Sequence, residues 1–325
     1  MIISRTPLRI SFFGGGTDYP QWYKKNGGQV LSTSINKYIY ITCRELKPFF
    51  KHKIRASYSI VEECENINQI KHPSIKQVLK FLKISKNIEL HYDGDLPGKS
   101  GLGSSSSFIV GLLNALYSYQ GITPSKKKLL NDSLYIEQKK INEIVGSQDQ
   151  VPAVYGGLNN IEFKRNGKII IKPINIHKER MQYLEKHLML FYTGILRSGS
   201  QVAKTYVNKV KKNEQFFNSI YEHTNEAIKI LKKGNIDDIG YLLDKTWREK
   251  QKLSKRISND KINYIYKKAI KAGAIGGKLS GAGGGGFILL YVPLNKQEKV
   301  SKSLAKFIKV PIKFEKNGSQ IVFNQ

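Results

Sequence analysis

The chain has 325 residues, of which 40% are hydrophobic and 24% charged. This composition excludes an intrinsically disordered chain, and the length suggests about two domains. The 54 basic and 25 acidic residues give a formal net charge of +29, and two cysteines are too few for a disulfide framework. No apolar run reaches the roughly 18 residues that a transmembrane helix needs. We therefore expect a globular, cytoplasmic protein without a membrane partner.

The positive charge is spread along the chain. The lysines occur in groups of two or three, as at Lys126–Lys128, Lys211–Lys212 and Lys232–Lys233, rather than in one basic arm. Such scattering is typical of solvated surfaces and argues against a dedicated nucleic-acid surface, although a functional basic groove stays open as an alternative.

The first half of the chain is predicted to be rich in strands, because short alternating or apolar runs are bounded by turn residues. These runs are Ile2–Ile3, Leu8–Phe13, Val30–Ile35, Tyr38–Thr42, Ile54–Ser59, Ile88–Tyr92 and Leu158–Phe163. Apolar residues at helical spacing predict helices over Ser74–Leu82, Ser104–Tyr119 and Lys126–Ile144.

The second half changes character after a predicted strand at Leu188–Tyr192. Helices are predicted at Ser200–Lys232, Ile236–Lys252, Asp260–Ala272 and Lys296–Phe307, with strands at Phe287–Tyr291 and near Gln320–Asn324. This change predicts an α+β protein of two domains, residues 1–184 and residues 185–325. A cleft between them is the expected ligand site.

The first of three glycine-rich segments follows the strand that carries Arg9. Three glycines, residues 14–16, permit close approach of a ligand to the backbone. Asp18 comes next, in a position to accept hydrogen bonds from hydroxyl groups. A tight turn with an exposed acidic residue explains the same pattern.

The second glycine-rich segment leads into the predicted helix at Ser104. Gly98, Lys99 and Ser100 match the end of a P-loop pattern, but position 93 is Asp, so the spacing fails. The free amides at a helix start bind phosphate, and serine hydroxyls can reach a phosphate oxygen or its Mg²⁺. A serine N-cap is the alternative. Four consecutive serines exceed what capping needs, so the pattern favours a phosphate site.

The third segment contains Gly281, Gly283 and Gly286 in the spacing of a dinucleotide fingerprint. A strand follows these glycines where a helix should begin, so the fingerprint fails. A loop packed closely against another loop or a nucleotide is the better interpretation, and a simple hairpin turn is the alternative.

Two carboxylates stand out between these segments. Asp149 follows Glu137 by 12 residues, in a Gly-Ser-Gln-Asp-Gln turn. From the residues alone, Asp149 could be a magnesium ligand, a base or a helix cap. The six histidines show no metal-binding spacing and no G-x-S-x-G motif occurs, so metal-dependent and serine hydrolysis lack support.

Taken in order, the three segments resemble the motifs of the GHMP small-molecule kinases. The motifs lie at residues 7–19 (PLRISFFGGGTDY), 97–107 (beginning PGKSGLGSSS) and 278–286 (KLSGAGGGG). The segment FGGGTDYPQWY (Phe13–Tyr23) is most similar to that of the D-glycero-D-manno-heptose 7-phosphate kinases. Those enzymes phosphorylate the anomeric hydroxyl on the route to GDP-heptose for capsule and other surface polysaccharides.

The resemblance implies a fold as well as residue roles. The expected N-terminal domain is α+β with a left-handed βαβ crossover, the C-terminal domain is ferredoxin-like, and ATP lies between them. Asp149 matches the catalytic aspartate of the galactokinase branch. Arg9 matches the basic residue that points at the phosphoryl-accepting oxygen, and Asp18 matches the aspartate that binds sugar hydroxyls.

The resemblance also implies a Mg²⁺ site at Ser105 and Glu137. The interval of 12 residues from Glu137 to Asp149 agrees with the galactokinase branch. Ser106 and Ser107 stand where many members have alanine. We expect these two side chains to face their own helix turn, with little consequence.

The implied ligand contacts form two sets. The ATP phosphates are expected at Pro97, Gly98, Lys99, Ser100, Gly101, Leu102, Gly103, Ser104, Ser105 and Ser106. The sugar phosphate is expected at Gly15, Gly16, Thr17, Asp18, Tyr19, Arg197, Gly283 and Gly284. Arg197 and the helix amides near Ser198–Gln201 are the candidates for the far phosphate, with an exposed loop arginine as the alternative.

The expected activity is ATP- and Mg²⁺-dependent phosphorylation of heptose 7-phosphate to the 1,7-bisphosphate. The partners are then two small molecules, ATP and a sugar phosphate, with no nucleic acid. Monomer and homodimer both stay open. One alternative is a kinase of an unphosphorylated sugar, similar to fucokinase or galactokinase. Another is a non-catalytic binding protein whose positive charge serves nucleic acid.

Overall fold

The computed structural model describes residues 1–197 and 199–325, apart from the side chain of Lys211. The strands are β1 (Ile2–Phe13), β2 (Gly28–Glu45), β3 (Ile54–Ser57), β4 (Val61–Cys64), β5 (Ile88–Gly94), β6 (Leu158–Phe163), β7 (Ile169–Pro173), β8 (Leu188–Tyr192), β9 (Gly276–Leu279), β10 (Phe287–Tyr291), β11 (Ile308–Val310), β12 (Phe314–Glu315) and β13 (Gln320–Asn324). The α-helices are α1 (Pro20–Asn26), α2 (Pro73–Phe81), α3 (Ser104–Tyr119), α4 (Lys126–Tyr135), α5 (Gln150–Tyr155), α6 (Lys178–Lys186), α7 (Gly199–Val207), α8 (Glu214–Lys233), α9 (Asp238–Lys252), α10 (Asp260–Ala272) and α11 (Gln297–Ser303).

The first sheet is built around the long strand β2, which pairs with β1, β5, β6 and β12. All four of these pairings are antiparallel, whereas β3 pairs with β5 in parallel. Helix α3 packs on β1 and β2 with an almost wholly buried apolar surface. This layer of helix on sheet forms the larger part of the core and fixes the position of β1, the strand that carries Arg9.

β1 and β2 are continuous where the sequence predicts two strands each. The polar residues Ser4 and Thr6 lie between the two predicted parts of β1, and both are buried and hydrogen-bonded. The Ser4 hydroxyl donates to the Gly111 carbonyl at 2.8 Å, and the Thr6 hydroxyl lies 2.8 Å from that of Ser319. Because tertiary partners satisfy these hydroxyls, polar residues can occupy the interior of a buried strand.

The second sheet has the strand order β11-β8-β10-β9, with every pairing antiparallel. In chain order its elements run strand, helices, two strands, helix, strand, which is the ferredoxin-like arrangement. The expected α+β fold with a ferredoxin-like second unit is therefore confirmed. None of the helices in the described residues combines the length and hydropathy needed to cross a lipid bilayer.

The C-terminal strands return to the first sheet. β12 pairs with β2, and β13 pairs with β1, where Asn324 lies opposite Ile2. The predicted second domain, residues 185–325, therefore includes two strands that pair with the first sheet. Strand periodicity shows which side of a strand is buried, but it does not identify the neighbouring strand.

Several helices also differ from their predicted extents. The helix predicted over residues 126–144 continues past α4 as a π-helical turn at Ile136–Lys140 and then ends. The helix predicted over residues 200–232 is broken between α7 and α8. The short helices α1, α5 and α6 were missed, because so few turns leave no clear apolar period.

One buried lysine joins the two sheets. Lys278 on β9 donates through Nζ to the carbonyls of Ser11 and Phe12 on β1, at 2.8 and 2.9 Å. Its side chain is buried, and this burial lowers the pKa of Lys278 well below its ordinary value. The contact holds the second sheet against the end of the strand that carries Arg9.

Candidate active site

The start of helix α3 is arranged to bind an anion. Gly103 precedes the helix in a left-handed conformation, with φ of 77°, and no side chain caps the first turn. The first helical hydrogen bond runs from the Ser107 amide to the Gly103 carbonyl at 2.9 Å. The earlier amides therefore have no intrahelical acceptor, and they lie at the positive end of the helix dipole. These free amides support the phosphate site predicted here, which stays a prediction.

Two glycine-rich loops meet beside this helix start. A Cβ on Gly101, where φ is 87°, would lie 2.5 Å from the Ser280 carbonyl oxygen. A Cβ on Gly286 would lie 1.9 Å from the Ser100 carbonyl oxygen. Because no side chain fits at either position, the contact requires glycine on both loops. The sequence-based interpretation of the third glycine segment as a closely packed loop is confirmed.

The residues of the predicted phosphate loop differ in what they can offer a ligand. Pro97, Gly98 and Lys99 are exposed, whereas Leu102 is buried in the core. Ser100 is also buried, and its hydroxyl donates to the Pro97 carbonyl at 2.6 Å. That hydroxyl therefore shapes the loop, and the exposed residues around it are the better candidates for ligand contact.

Arg9 and Asp149 form a bidentate ion pair. The Arg9 Nε donates to Asp149 Oδ1 at 2.9 Å, and Nη2 donates to Oδ2 at 2.7 Å. The third nitrogen, Nη1, donates to the Gly101 carbonyl at 2.6 Å, which ties the pair to the phosphate loop. The Arg9 side chain is 4% exposed, whereas that of Asp149 is 27% exposed. Arg9 therefore holds the carboxylate rigidly while leaving part of it accessible.

Glu137 is fully buried in the π-helical turn beyond α4. Its Oε2 accepts from the Ser106 hydroxyl at 2.8 Å and from the Gln150 side-chain amide at 2.6 Å. Its Oε1 is buried and, among the described residues, has no hydrogen-bond partner. Burial raises the pKa of Glu137 to about 7, and the nearby Asp149 charge acts in the same direction. π-turns are rare and are often found at functional sites.

Ser106 differs from the expectation that it faces its own helix turn. Its hydroxyl contacts Glu137, and the Ser107 hydroxyl donates to the Pro7 carbonyl at 2.9 Å. Ser105, the predicted metal ligand, is exposed on the same turn. A serine at position 106 therefore has a consequence that alanine would not, because it orients the buried carboxylate.

The side chains at this site suit Mg²⁺ that is bound partly by phosphate and water better than a metal ion bound by protein ligands alone. Among the described residues, no group of three or more His, Cys, Asp or Glu side chains could hold a metal. Mg²⁺ typically uses only one or two carboxylates together with water and phosphate oxygens. The unpartnered Glu137 Oε1 is the kind of oxygen that it binds. Ser105 and Glu137 as ligands stay a prediction.

Asp18 lies close to Asp149 and is 1% exposed. Its Oδ1 accepts from the Gly16 amide at 2.8 Å, and its Oδ2 accepts from the Gln148 side-chain amide at 2.9 Å. Burial is the main cause that raises the pKa of Asp18, and the Asp149 charge adds to it. A carboxylate oxygen can accept a second hydrogen bond, so Asp18 can still receive one from a sugar hydroxyl.

Gly146 allows Asp18 to occupy this position. A Cβ on Gly146 would lie 1.7 Å from Asp18 Oδ2, so Gly146→Ala must displace that carboxylate. We expect the KM for the sugar acceptor to rise by roughly 10-fold or more in Gly146→Ala, the effect of losing a hydrogen bond to a charged group. Steady-state kinetics with varied acceptor concentration measure it.

Gly121→Ala is the matched control for Gly146→Ala. Gly121 has φ of 74° in an exposed turn, and a Cβ there meets open space. The substitution should cost about 1 kcal/mol of stability through backbone strain and leave the KM unchanged. An unchanged KM in Gly146→Ala would show that Asp18 has no part in acceptor binding.

The other residues predicted from the first glycine segment differ in their surroundings. A Cβ on Gly15 would lie 3.5 Å from the Gln148 amide, which places Gly15 beside Asp18, and one on Gly16 would contact Phe217. Tyr19 is buried with its ring edge-on to Tyr206, at 6.1 Å between centroids.

Thr17 differs from the prediction. Its hydroxyl lies 2.8 and 2.9 Å from the carbonyl oxygens of Gly14 and Gln29, either of which can accept its single proton, and it accepts from the Gln29 amide at 3.1 Å. The side chain is fully buried. Because these contacts occupy the hydroxyl, it stabilises the turn and is not available to a substrate.

Gly283 and Gly284 pack against the loop before α10. A Cβ on Gly283 would lie 2.7 Å from the Ile257 Cα, and the Gly284 amide donates to the Ile257 carbonyl at 2.8 Å. This packing explains both glycines without a substrate. Arg197, by contrast, lies beside the phosphate loop: a Cβ on Gly101 would be 3.0 Å from its Nη2. Ser198, named with Arg197 as part of the far-phosphate site, lies outside the described residues.

Sequence reasoning missed several polar residues of the site. Gln148 and Gln150 flank Asp149 and orient Asp18 and Glu137, although the whole turn had been singled out. Lys250 could have been identified from its position in the sequence. It follows Leu243 and Trp247 on the buried side of α9, where a lysine is unexpected.

Comparison with known proteins gives a consistent picture. Residues 71–157 match the family described as the GHMP kinases N terminal domain, and residues 227–310 match the GHMP kinases C terminal family. The first match includes Glu137, Asp149 and the start of α3, and the second includes Lys250 and the third glycine-rich segment.

Several relatives match along nearly the whole chain, among them two sugar kinases. The chain is 32% identical to the D-glycero-alpha-D-manno-heptose 7-phosphate kinase of Campylobacter jejuni, over 94% of this chain and 93% of that protein. It is 26% identical to the galactokinase of Pyrococcus furiosus, with 94% and 93% coverage. A D-glycero-D-manno-heptose 1-phosphate kinase from Bacteroides thetaiotaomicron has the same fold, with a TM-score of 0.83, 24% identity and 100% coverage of both chains.

Proposed function

The chain belongs to the GHMP kinases and phosphorylates a sugar hydroxyl, and we propose that its acceptor is the anomeric hydroxyl of D-glycero-D-manno-heptose 7-phosphate, with ATP as donor. The Campylobacter jejuni relative bears the name of this activity and is similar along almost its full length. The 1-phosphate kinase from Bacteroides thetaiotaomicron supports the fold alone, because its identity to this chain is 24%.

The observation that carries the proposal is the Arg9–Asp149 pair beside the free start of α3. Its carboxylate is held at two points and remains 27% exposed, so an acceptor hydroxyl can reach it. Asp149 would accept the proton from that hydroxyl or orient it for in-line attack. An anomeric hydroxyl is more acidic than an ordinary alcohol, which makes a carboxylate a suitable partner.

Arg9 has a positioning role and an electrostatic role. Its guanidinium contacts both Asp149 oxygens and the Gly101 carbonyl, so one side chain joins the carboxylate to the phosphate loop. The same positive charge would stabilise the negative charge that develops on the attacking oxygen. Phosphoryl transfer depends mainly on this kind of positioning and charge stabilisation.

The donor phosphates would lie at the α3 start. The backbone amides of residues 101–106 would bind them, and Ser105 and Glu137 would hold Mg²⁺. When bound, Mg²⁺ neutralises charge on the transferring phosphate. Ser106 and Gln150 would keep the Glu137 carboxylate aimed, because both donate to its Oε2.

A kinase of an unphosphorylated sugar is the second candidate, supported by the similarity to galactokinase. Only the first acceptor carries a phosphate group, which needs cations near Asp149. Arg197 and Lys250 lie there, and neither is in any ion pair of residues 1–197 and 199–325. This excess of cations favours the phosphorylated acceptor.

A panel of acceptors separates these candidates. Initial rates of ADP formation are measured with heptose 7-phosphate, the corresponding free heptose, galactose, fucose and mannose. We expect kcat/KM for the heptose 7-phosphate to exceed that for each unphosphorylated sugar by at least 10-fold. A higher kcat/KM for a free sugar would replace the proposal with the second candidate.

A further inference from the structure

Two basic side chains from different elements meet on one short segment of the second glycine loop. Lys250, in the last turn of α9, donates through Nζ to the Gly281 carbonyl at 2.5 Å. Arg197, just before α7, points its Nη2 to the Ser280 carbonyl at 3.4 Å. Both side chains reach Gly281, because a Cβ on that residue would lie 2.7 Å from Arg197 Nη2. The two positive charges are therefore adjacent.

Neither charge is neutralised by a carboxylate partner in the described chain. The Lys250 side chain lies in the interior, with the residue 4% exposed. The Nε of Arg197 is buried, and no hydrogen-bond partner is found for it among the described residues. Burying a charge is costly unless the charge is paired, so adjacent buried cations without an anion indicate a site that an anion completes.

The surrounding charges reinforce this conclusion. Burial lowers the pKa of Lys250 to about 8, and the neighbouring Arg197 charge acts in the same direction. Burial also lowers the pKa of Arg197. The carboxylates that oppose these cations are Asp18 and Asp149, and Asp149 is already bound by Arg9. The cleft therefore has more cationic than anionic groups.

Arg9 and the Arg197–Lys250 pair approach the two glycine loops from different sides. Arg9 approaches Gly101 through its carbonyl oxygen, at 2.6 Å, whereas Arg197 lies where a Gly101 Cβ would point. The donor phosphates already have the amides at the α3 start, so a second cationic group in the same cleft would serve a second anion. The acceptor of the proposed function carries one.

We propose that Arg197 and Lys250 together form a second anion site, which binds the phosphate that the acceptor sugar already carries. This inference rests on the proposed function and deepens it, because the site would select a phosphorylated sugar over its free counterpart. Arg197 was a candidate from the sequence alone, whereas Lys250 and the shared Ser280–Gly281 segment come from the structure.

The test uses Lys250→Met and Arg197→Met in the full chain. Each should raise the KM for heptose 7-phosphate by roughly 10- to 100-fold, the range for losing a hydrogen bond between charged groups. The KM for ATP and the slow turnover of free heptose should change much less than the KM for heptose 7-phosphate, since neither uses this site. Inorganic phosphate, the probe, should inhibit wild type competitively against the sugar phosphate and inhibit the variants more weakly.

Two further variants control for a merely structural effect. Lys250→Arg keeps the charge and should recover part of the lost affinity. Lys252→Met lies on the same helix, removes an exposed lysine paired with Glu249 at 2.8 Å, and should change no kinetic constant. Thermal unfolding of each variant shows whether it is folded.

The result that would overturn the inference is specific. An equal rise in the KM for ATP with either acceptor would place the donor phosphate at this site, and unchanged constants would leave it a structural contact. Failure of the proposed function is distinguishable, because it appears in the wild-type enzyme as preference for a free sugar. If wild type prefers another sugar phosphate, the anion site stands while the heptose assignment fails.

Discussion

Asp149→Asn should lower kcat by roughly 10²- to 10⁴-fold, the range typical of removing a general base. Asparagine keeps the size of the side chain but cannot take a proton. It also places an amide nitrogen or a neutral oxygen against the Arg9 guanidinium, which now contacts both carboxylate oxygens at 2.7 and 2.9 Å. The KM for ATP should change little. Steady-state kinetics with varied acceptor and donor separate the two effects.

Asp132→Asn is the matched control for this variant. Asp132 lies on α4, where its Oδ2 accepts from the Tyr117 hydroxyl at 2.6 Å and from Lys128 at 3.0 Å. Its loss should affect stability slightly and kcat by less than about 2-fold, since these partners lie outside the cleft. A kcat for Asp149→Asn close to that of Asp132→Asn would contradict the catalytic assignment.

Glu137→Gln should nearly abolish activity at ordinary Mg²⁺ concentrations. The substitution removes the buried negative charge that would attract the metal, while Gln can still accept from Ser106 and Gln150. We expect at least about a 100-fold loss in rate, on the scale found when one electrostatic group of an active site is removed. Raising the Mg²⁺ concentration should recover part of the rate, and titration with Mg²⁺ measures this shift.

Although Glu137→Gln should lose activity, its thermal stability should be unchanged or higher. Burial raises the pKa of Glu137 to about 7, so above that pH the ionised carboxylate disfavours the folded state. At pH 8 the Gln variant should therefore unfold at the same temperature as wild type or a higher one. Glu162→Gln, which removes a carboxylate bound to Lys164 and Lys172, is the control and should keep its activity. Full activity of Glu137→Gln at low Mg²⁺ would contradict the metal site.

The order of the sequence motifs predicted which site residues lie together better than hydrophobic periodicity predicted the fold. Arg9 and Asp18 are far from Glu137 and Asp149 in the chain. The structure brings all four together, close enough for Asp149 to influence the carboxylates of Asp18 and Glu137. The boundaries of α3 agree with the prediction, because its long apolar run between a glycine loop and Gln120 leaves little choice.

The features that the sequence did not reveal depend on contacts between residues that are far apart in the chain. The π-turn that carries Glu137 gives no periodic signal, because it differs from an α-helix by one residue in its hydrogen bonding. The contact of Ser106 with Glu137 spans 31 positions, and that of Lys250 with Gly281 also spans 31. The return of β13 to β1 is set by tertiary pairing, which local alternation does not encode.

Identification of the phosphorylated carbon tests the proposed reaction most directly. The enzyme is incubated with ATP, Mg²⁺ and D-glycero-D-manno-heptose 7-phosphate, and the product is analysed by phosphorus–proton NMR. We expect a second phosphate signal coupled to the anomeric proton, formed in equal amount to ADP and absent with Asp149→Asn. A product phosphorylated at any other carbon, or no product from this sugar while a different acceptor is consumed, would contradict the proposal.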